Sequence, residues 1–305
     1  MAALKAIKVK IRSIDKTRKV TKAMEAVSAA KMRKAQVSAL GGRTYARAAV
    51  SILERLSASG VLQRHALAIP RPITKALYIV ITSDKGLAGS LNSAVLKAVS
   101  TSIQEAHLSP ADVHIIAIGR KANEYFTNRG YSVDAYLENN EEVTTNDTIA
   151  RAVTDALSLY RFSGVDTVRL GYQNFISTFE QKPMVRTIFP LMAEQLKEVV
   201  EGIAPAKGAF AENVHAKAPA QYAIEPSAEE VLEALLPRLA SVFVYHALLE
   251  SRASEHSARM VAMKSASDKA RDLMKEFTLD FNKARQAGIT REVSEIIGGI
   301  ETMTA

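Results

Sequence analysis

The densest group of residues able to do chemistry is Ser83-Asp84-Lys85-Gly86-Leu87-Ala88-Gly89, a hydroxyl, a carboxylate and an ammonium interleaved with glycines. It follows the apolar run Leu77-Tyr78-Ile79-Val80-Ile81 and precedes a helical pattern. That is where α/β proteins hold nucleotide phosphates. Yet there is no G-x-x-x-x-G-K-[ST] and no G-x-G-x-x-G, so both common phosphate-cradling loops are missing. The competing reading is a tight strand-to-helix turn whose glycines supply backbone freedom. Ser28-Ala29-Ala30-Lys31 matches the S-x-x-K of penicillin-binding enzymes, but it lies in a basic helical run with no K-T-G after it. The six histidines form no H-E-x-x-H and no i,i+4 pair, and His246 and His256 stand too far apart for one metal. With no cysteine, a disulfide or thiolate metal site is impossible. The expectation is no catalytic residue, no metal and no cofactor.

Charge is the second chemical signal. Residues 1–38 carry 11 Lys/Arg and 2 Asp/Glu, and the whole chain is +8, so the excess belongs to one segment. Such a surface seeks an acidic partner: nucleic acid, anionic lipid or acidic protein loops. The mixed row Arg252, Glu255, Arg259, then Lys264, Asp268, Arg271 and Asp272, reads as a solvated helix face with weak i,i+4 pairs.

These groups must be positioned by unusual elements. Residues 1–40 contain neither Gly nor Pro, nor does Arg238 to Ala287. As single helices they would reach roughly 60 Å and 75 Å, and neither reads as apolar enough to span a bilayer. Leu4, Ile7, Ile11 and Ile14 alternate steps of three and four, a heptad seam. Its phase is expected to slip near Val20, with Met24 and Val27 continuing it. Gly41-Gly42 marks a break, after which Tyr45, Ala49, Ile52 and Leu56 resume the period. Near the other end Met260, Met263, Ser267, Ala270, Met274, Phe277, Phe281 and Ala284 hold one phase, and Ile289, Val293, Ile296 and Ile300 repeat it. Two such stripes can bury each other as a rod.

Between them strand and helix alternate. Runs 77–81, 113–118, 165–172 and 185–189 read as strands; Ser93 to Ala106, Arg120 to Asn128 and Asp147 to Phe162 read as helices. The expected fold is a Rossmann-like, mostly parallel α/β domain plus a long antiparallel α-helical coiled coil of the two chain ends. The expected boundaries are 1–60 for the first helix, 73–200 for the α/β domain, 201–221 for a loop and 222–305 for the last helix. Helix should resume at Glu225-Pro226-Ser227. No signal peptide is read at the N-terminus.

Three segments resemble one family. Ile11-Arg12-Ser13-Ile14 through Thr21-Lys22-Ala23-Met24-Glu25-Ala26-Val27 to Lys31-Met32-Arg33-Lys34-Ala35-Gln36 is similar to the opening helix of the gamma subunit of bacterial F-type ATP synthases. Ser83 to Asn92 resembles that family's S-D-[RK]-G-L-x-G-x-x-N turn. Ala253-Ser254-Glu255-His256, Arg259 to Lys264, and Asn282 to Ile296 resemble its last helix, with the I-T-x-E-x-x-E ending. Lys269 and Gly288 depart from the usual residues, and the cysteine-bearing chloroplast insertion is absent.

The resemblance implies a non-catalytic central rotor shaft that passes torque between a proton-driven c-ring and the catalytic beta subunits. It implies one copy per complex, with three alpha and three beta subunits, an epsilon subunit and the c-ring as partners. It also implies a peripheral position on the cytoplasmic side of the bacterial inner membrane and no nucleic acid. By resemblance Lys22, Met24, Lys31, Arg33, Lys34 and Lys85 would face beta, with Lys85 facing either beta or epsilon. Arg285, Gln286, Thr290 and Glu292 would meet a beta loop nearer the tip, and Tyr222 and Glu225 the c-ring. Two other classes compete with this reading: a basic coiled-coil adaptor for nucleic acid, and a nucleotide-binding α/β enzyme.

Overall fold

The computed structural model describes residues 2–41, 60, 62–191, 225 and 227–304, with no account of the side chains of 2, 3, 40, 41, 295 and 298–304. The chain forms two units, residues 31–258 and residues 1–30 with 259–305. The expected loop 201–221, the heptad from Tyr45 to Leu56, Gly42 and Tyr222 lie outside the described residues.

The larger unit is built on a five-stranded sheet of order β3-β2-β1-β4-β5. Its strands are β1 (Ala76–Ile81), β2 (Val113–Ile118), β3 (Ser132–Leu137), β4 (Thr167–Phe175) and β5 (Gln181–Phe189). β1 to β4 run parallel and β5 pairs antiparallel with β4. Every residue of β1 is buried. Both faces are covered, which is why that strand is apolar throughout instead of alternating. On one face Tyr78, Val80, Ile115 and Ala117 meet α2 (Leu91–Glu105) and α3 (Arg120–Thr127) through Val95, Val99, Ala122 and Phe126. On the other, Leu77, Ile79, Ile116 and Leu170 meet α4 (Asn146–Phe162) and the first third of α5 (Ala228–Thr304), from Leu232 to Leu248. The result is three layers.

α2, α3 and α4 fall within two residues of their expected bounds. β3 had no sequence expectation. As an edge strand it exposes every second residue, and Asp134 and Ser132 dilute its apolar signal. A bulge opposite Ile115/Ile116 then turns Val133 toward one core and Ala135 and Leu137 toward the other. α2 packs close against Gly171 in β4, where an added Cβ would lie 2.3 Å from a Val99 methyl.

α5 begins at Ala228 behind Ser227, whose hydroxyl accepts from the Glu230 amide and donates to the Glu230 carboxylate. Ser227 caps the helix start, and Pro226 lies outside the described residues. One 18-residue stretch of α5 reaches a mean hydropathy of 1.4, higher than the sequence reading allowed. Half of that stretch is buried inside the protein, because its leucines are the ones that pack on the sheet.

Asp166 joins the approach to β4 with that to β1. Its carboxylate accepts from the Thr74 amide (2.8 Å), the Thr74 hydroxyl (2.6 Å) and the Lys75 amide (3.0 Å). Burial alone would raise its pKa; these hydrogen bonds outweigh burial and hold it below the usual range. Its contribution to stability is therefore full above the unfolded value of about 3.9 and is lost as pH falls through the folded pKa. Asp166→Asn is expected to weaken the fold at about pH 7 and to approach the wild type toward about pH 2. Urea melts at both pH values check this.

Candidate partner-docking surfaces

The turn after β1 is stapled to itself and its neighbours. The Ser83 amide donates to Asn92 Oδ1 (3.0 Å), Asn92 Nδ2 to Ser83 Oγ (2.7 Å), and the Ser83 hydroxyl to the Lys85 carbonyl (2.6 Å). Asp84 accepts from the Arg120 amide at the start of α3 (2.9 Å). Leu87 and Gly89 take positive φ. The Ser83 and Asp84 side chains are spent on closing the turn and fastening it to α3, while the Lys85 side chain stays exposed, which fits a strand-to-helix turn.

In a doubly wound sheet a ligand enters the crevice where the strand order reverses, here between β1 and β4. The chain fills that end with its own helix. Ser251 Oγ accepts from the Gln173 amide (3.0 Å), Ser254 Oγ reaches the Gln173 carbonyl (3.4 Å), and Ser257 Oγ donates to the Thr178 carbonyl (2.6 Å). Arg252 donates from Nε to Asn139 Oδ1 (2.8 Å). Ser251, Arg252, Ser254, Glu255 and Ser257 are all buried. This corrects the solvated-face reading of Arg252 and Glu255, and Arg259 is buried as well. Small hydroxyls let α5 lie close to the strand ends while satisfying their carbonyls. From Lys264 onward the row is solvated as expected, with Arg271 paired to Asp268 at 2.9 Å. Two shallow grooves of about 640 and 720 Å³ flank α2, lined by Lys97 and by Arg169 or Lys121, with no histidine. Among the described residues no three of His, Asp and Glu gather as a metal site.

The other unit pairs α1 (Ala2–Gly41) with the distal part of α5 as antiparallel helices. The Lys10 ammonium lies 5.5 Å from the centre of the Phe277 ring. The α1 seam is Leu4, Ile7, Ile11, Ile14, Arg18, Thr21, Glu25 and Ser28, all buried or half-buried, in unbroken steps of three and four. No phase slip occurs. Val20 and Val27 are each 57% exposed, so Val27 does not continue the seam. The inner line carries polar residues instead. Thr21 donates to the Thr17 and Arg18 carbonyls, which makes its burial cheap. On α5 the seam Met260, Met263, Ser267, Ala270, Met274, Phe277, Phe281 and Ala284 is buried or half-buried throughout. By the Lys10–Phe277 register α1 ends near residue 285 of α5. Beyond it Ile289, Val293, Ile296 and Ile297 are exposed, an apolar tip with no seam partner among the described residues.

The candidate contact residues fall into separate groups. Lys22 is exposed and paired to Glu25 at 3.0 Å, and Met24 is half-buried. Lys31 and Arg33 are exposed, while Lys34 is ion-paired to Glu141 at 2.6 Å. Lys85 is exposed on its turn. Arg285, Gln286, Thr290 and Glu292 are exposed near the tip, roughly 30 Å along the helix pair from Lys22. Glu225 is exposed. The basic residues of α1 cover its whole non-seam surface, a collar and not a stripe, and both acids are bound internally: Asp15 to Arg18 and Lys19, Glu25 to Lys22. Sequence reasoning missed Arg252, Asn139 and Glu141, whose spacing carries no signal because they meet only after folding.

The ATP synthase family profile matches residues 3–303. The chain is 38% identical over 299 residues to the ATP synthase gamma chain of Cupriavidus metallidurans, covering 98% of this chain and 99% of that protein. It is 40% identical over 301 residues to that of Pelotomaculum thermopropionicum, covering 98% of each. Among solved structures it is similar in fold to a chain of the Euglena gracilis mitochondrial ATP synthase OSCP/F1/c-ring assembly (TM-score 0.68, 20% identity, 99% of this chain and 95% of that one). It also resembles a chain of the Tetrahymena thermophila mitochondrial ATP synthase central stalk and c-ring (TM-score 0.58, 24% identity, 81% and 99%).

Proposed function

Since this chain belongs to the ATP synthase gamma-chain family, we propose that it turns as the shaft coupling proton flow to ATP synthesis and hydrolysis. As a gamma chain it is a non-catalytic stalk subunit of a membrane-associated ATP synthase. In this reading one copy stands in a ring of three alpha and three beta subunits, on the cytoplasmic side of the inner membrane. Its foot, including Tyr222 and Glu225, rests on the c-ring beside epsilon. Proton flow turns the ring, and the asymmetric shaft drives each beta site through its states in turn.

The observation that carries the reading is similarity along 98% of the chain, through collar, turn and tip alike. A nucleic-acid adaptor would account for the collar alone. The sheet's ligand crevice filled by α5 also fits a part that moves other subunits and makes no bonds itself. Native mass measurement of the purified complex tests it. One copy with three alpha and three beta subunits is expected, together with no turnover by the isolated chain. Robust ATP hydrolysis by this chain alone would overturn the proposal.

Lys22, Lys31 and Arg33, with Met24 among them, form the bearing against acidic beta loops. Lys34 contributes only when its pair with Glu141 opens. Arg285, Gln286, Thr290 and Glu292 serve a second beta contact, and Lys85 one to beta or epsilon. Exposed pairs are worth about 0.2–1 kcal/mol, weak enough to break at every step. Reversing Lys22, Lys31 or Arg33 to Glu is therefore expected to change rotation rate by about 1.4- to 5-fold each, and less at high salt. Wild-type rates in all three variants would remove them from the bearing. The apolar tip turns in a greasy sleeve, where non-directional contact resists rotation least.

A further inference from the structure

We propose that the segment between β3 and α4, residues 138–145, is a torque strut, with Arg252 on α5 and Lys34 on α1 as positioning residues that fasten both helices to the sheet through it. The inference rests on the shaft reading and adds where the load enters the helices. Arg252 is 5% exposed. Its Nε donates to Asn139 Oδ1 (2.8 Å) and its Nη2 to the Thr144 carbonyl (3.4 Å). The same Asn139 donates from Nδ2 to the Thr82 carbonyl at the end of β1 (2.8 Å). One amide side chain thus joins α5 to the central strand. Three residues from Arg252's Thr144 contact, Glu141 takes the Lys34 ammonium at 2.6 Å, which ties in α1.

The segment between these anchors is stiff. The Thr144 amide donates to the Asn140 carbonyl (2.8 Å), the Glu142 amide to Asn140 Oδ1 (3.2 Å), and the buried Thr144 hydroxyl to the Glu138 carbonyl. A buried guanidinium held by an amide and a carbonyl is a costly way to fill space. An apolar side chain of similar volume avoids the desolvation. What the guanidinium adds is direction. Apolar burial has no preferred direction of its own, whereas hydrogen bonds fail once their angle opens. Burial lowers the Arg252 pKa, opposed by the charges of Glu141, Glu255 and Asp84 around it, and the Lys34 hydrogen bond lowers that of Glu141.

The test is ATP hydrolysis against ATP-driven proton pumping by the intact enzyme in membrane vesicles. Arg252→Met and Glu141→Lys are expected to leave hydrolysis unchanged and to cut pumping per ATP: the buried Arg252→Met by about tenfold or more, the scale of one charged hydrogen bond, and the solvent-accessible Glu141→Lys by about 1.4- to 5-fold, the scale of an exposed pair. The exchange Lys34→Glu with Glu141→Lys should regain what Glu141→Lys lost. Wild-type pumping in both single variants, or no recovery in the exchange, overturns the strut. Should Arg252→Met fail to assemble, the solvent-accessible Lys34–Glu141 pair decides alone. A wild-type enzyme that hydrolyses ATP without pumping would instead overturn the shaft reading.

Discussion

Gly119→Ala is expected to destabilise the α/β unit by about 3–5 kcal/mol, an unusual loss for a single methyl group. Gly119 holds φ +100° between β2 and α3. L side chains avoid that region, at about 1–3 kcal/mol. The added Cβ would also stand 2.1 Å from the Thr82 carbonyl oxygen and 2.6 Å from its carbon. Neither atom is free to retreat. The Thr82 amide donates to the Ile118 carbonyl (2.8 Å), its carbonyl accepts from Asn139, and its hydroxyl accepts from the Ala122 amide (2.9 Å). Relief of the clash must break the joint between β1, β2 and α3. Urea titration of the purified chain measures the loss, and a change below about 1 kcal/mol would contradict this account.

Met263→Asp is expected to cost at least about 3 kcal/mol and to abolish coupled pumping. Met263 is 6% exposed on the α5 seam. Replacing it removes about 2 kcal/mol of apolar burial and leaves a carboxylate in a seam lined by Ser267, Ala270 and Met260. Helices that no longer hold each other cannot carry torque. The volume-conserving Met263→Leu is the control, with a cost below about 1.5 kcal/mol and normal pumping. Thermal melts and vesicle assays of the pair decide the matter; equal behaviour of the Asp and Leu variants would mean the seam is not mechanical.

Periodicity made most of the fold legible. β1 is a continuous apolar run, and β2 is apolar but for the half-buried His114, because both their faces are covered, and the α5 seam is apolar at nearly every inner position. Where an inner position is polar, periodicity misleads. Thr21, Glu25 and Ser28 occupy the α1 seam, and their polarity imitates a phase slip that the helix never makes. β3 was invisible for a related reason: an edge strand with one open face and a bulge has half the apolar signal. The docking residues were named through family resemblance, since exposed Lys and Arg look alike in any sequence.

From its residues alone this chain reveals long helices at both ends, an alternating α/β middle, and none of the common catalytic motifs. These are local properties, set by the repeat of side chains every 3.6 or 2 positions and by residue types that are simply missing. Tertiary structure alone decided that Arg252 is buried, that α5 fills the crevice between β1 and β4, and that Lys34 is tied to Glu141. Those contacts join residues 78 to 113 positions apart, and whether a charge meets water or an amide depends on what the folded chain brings against it.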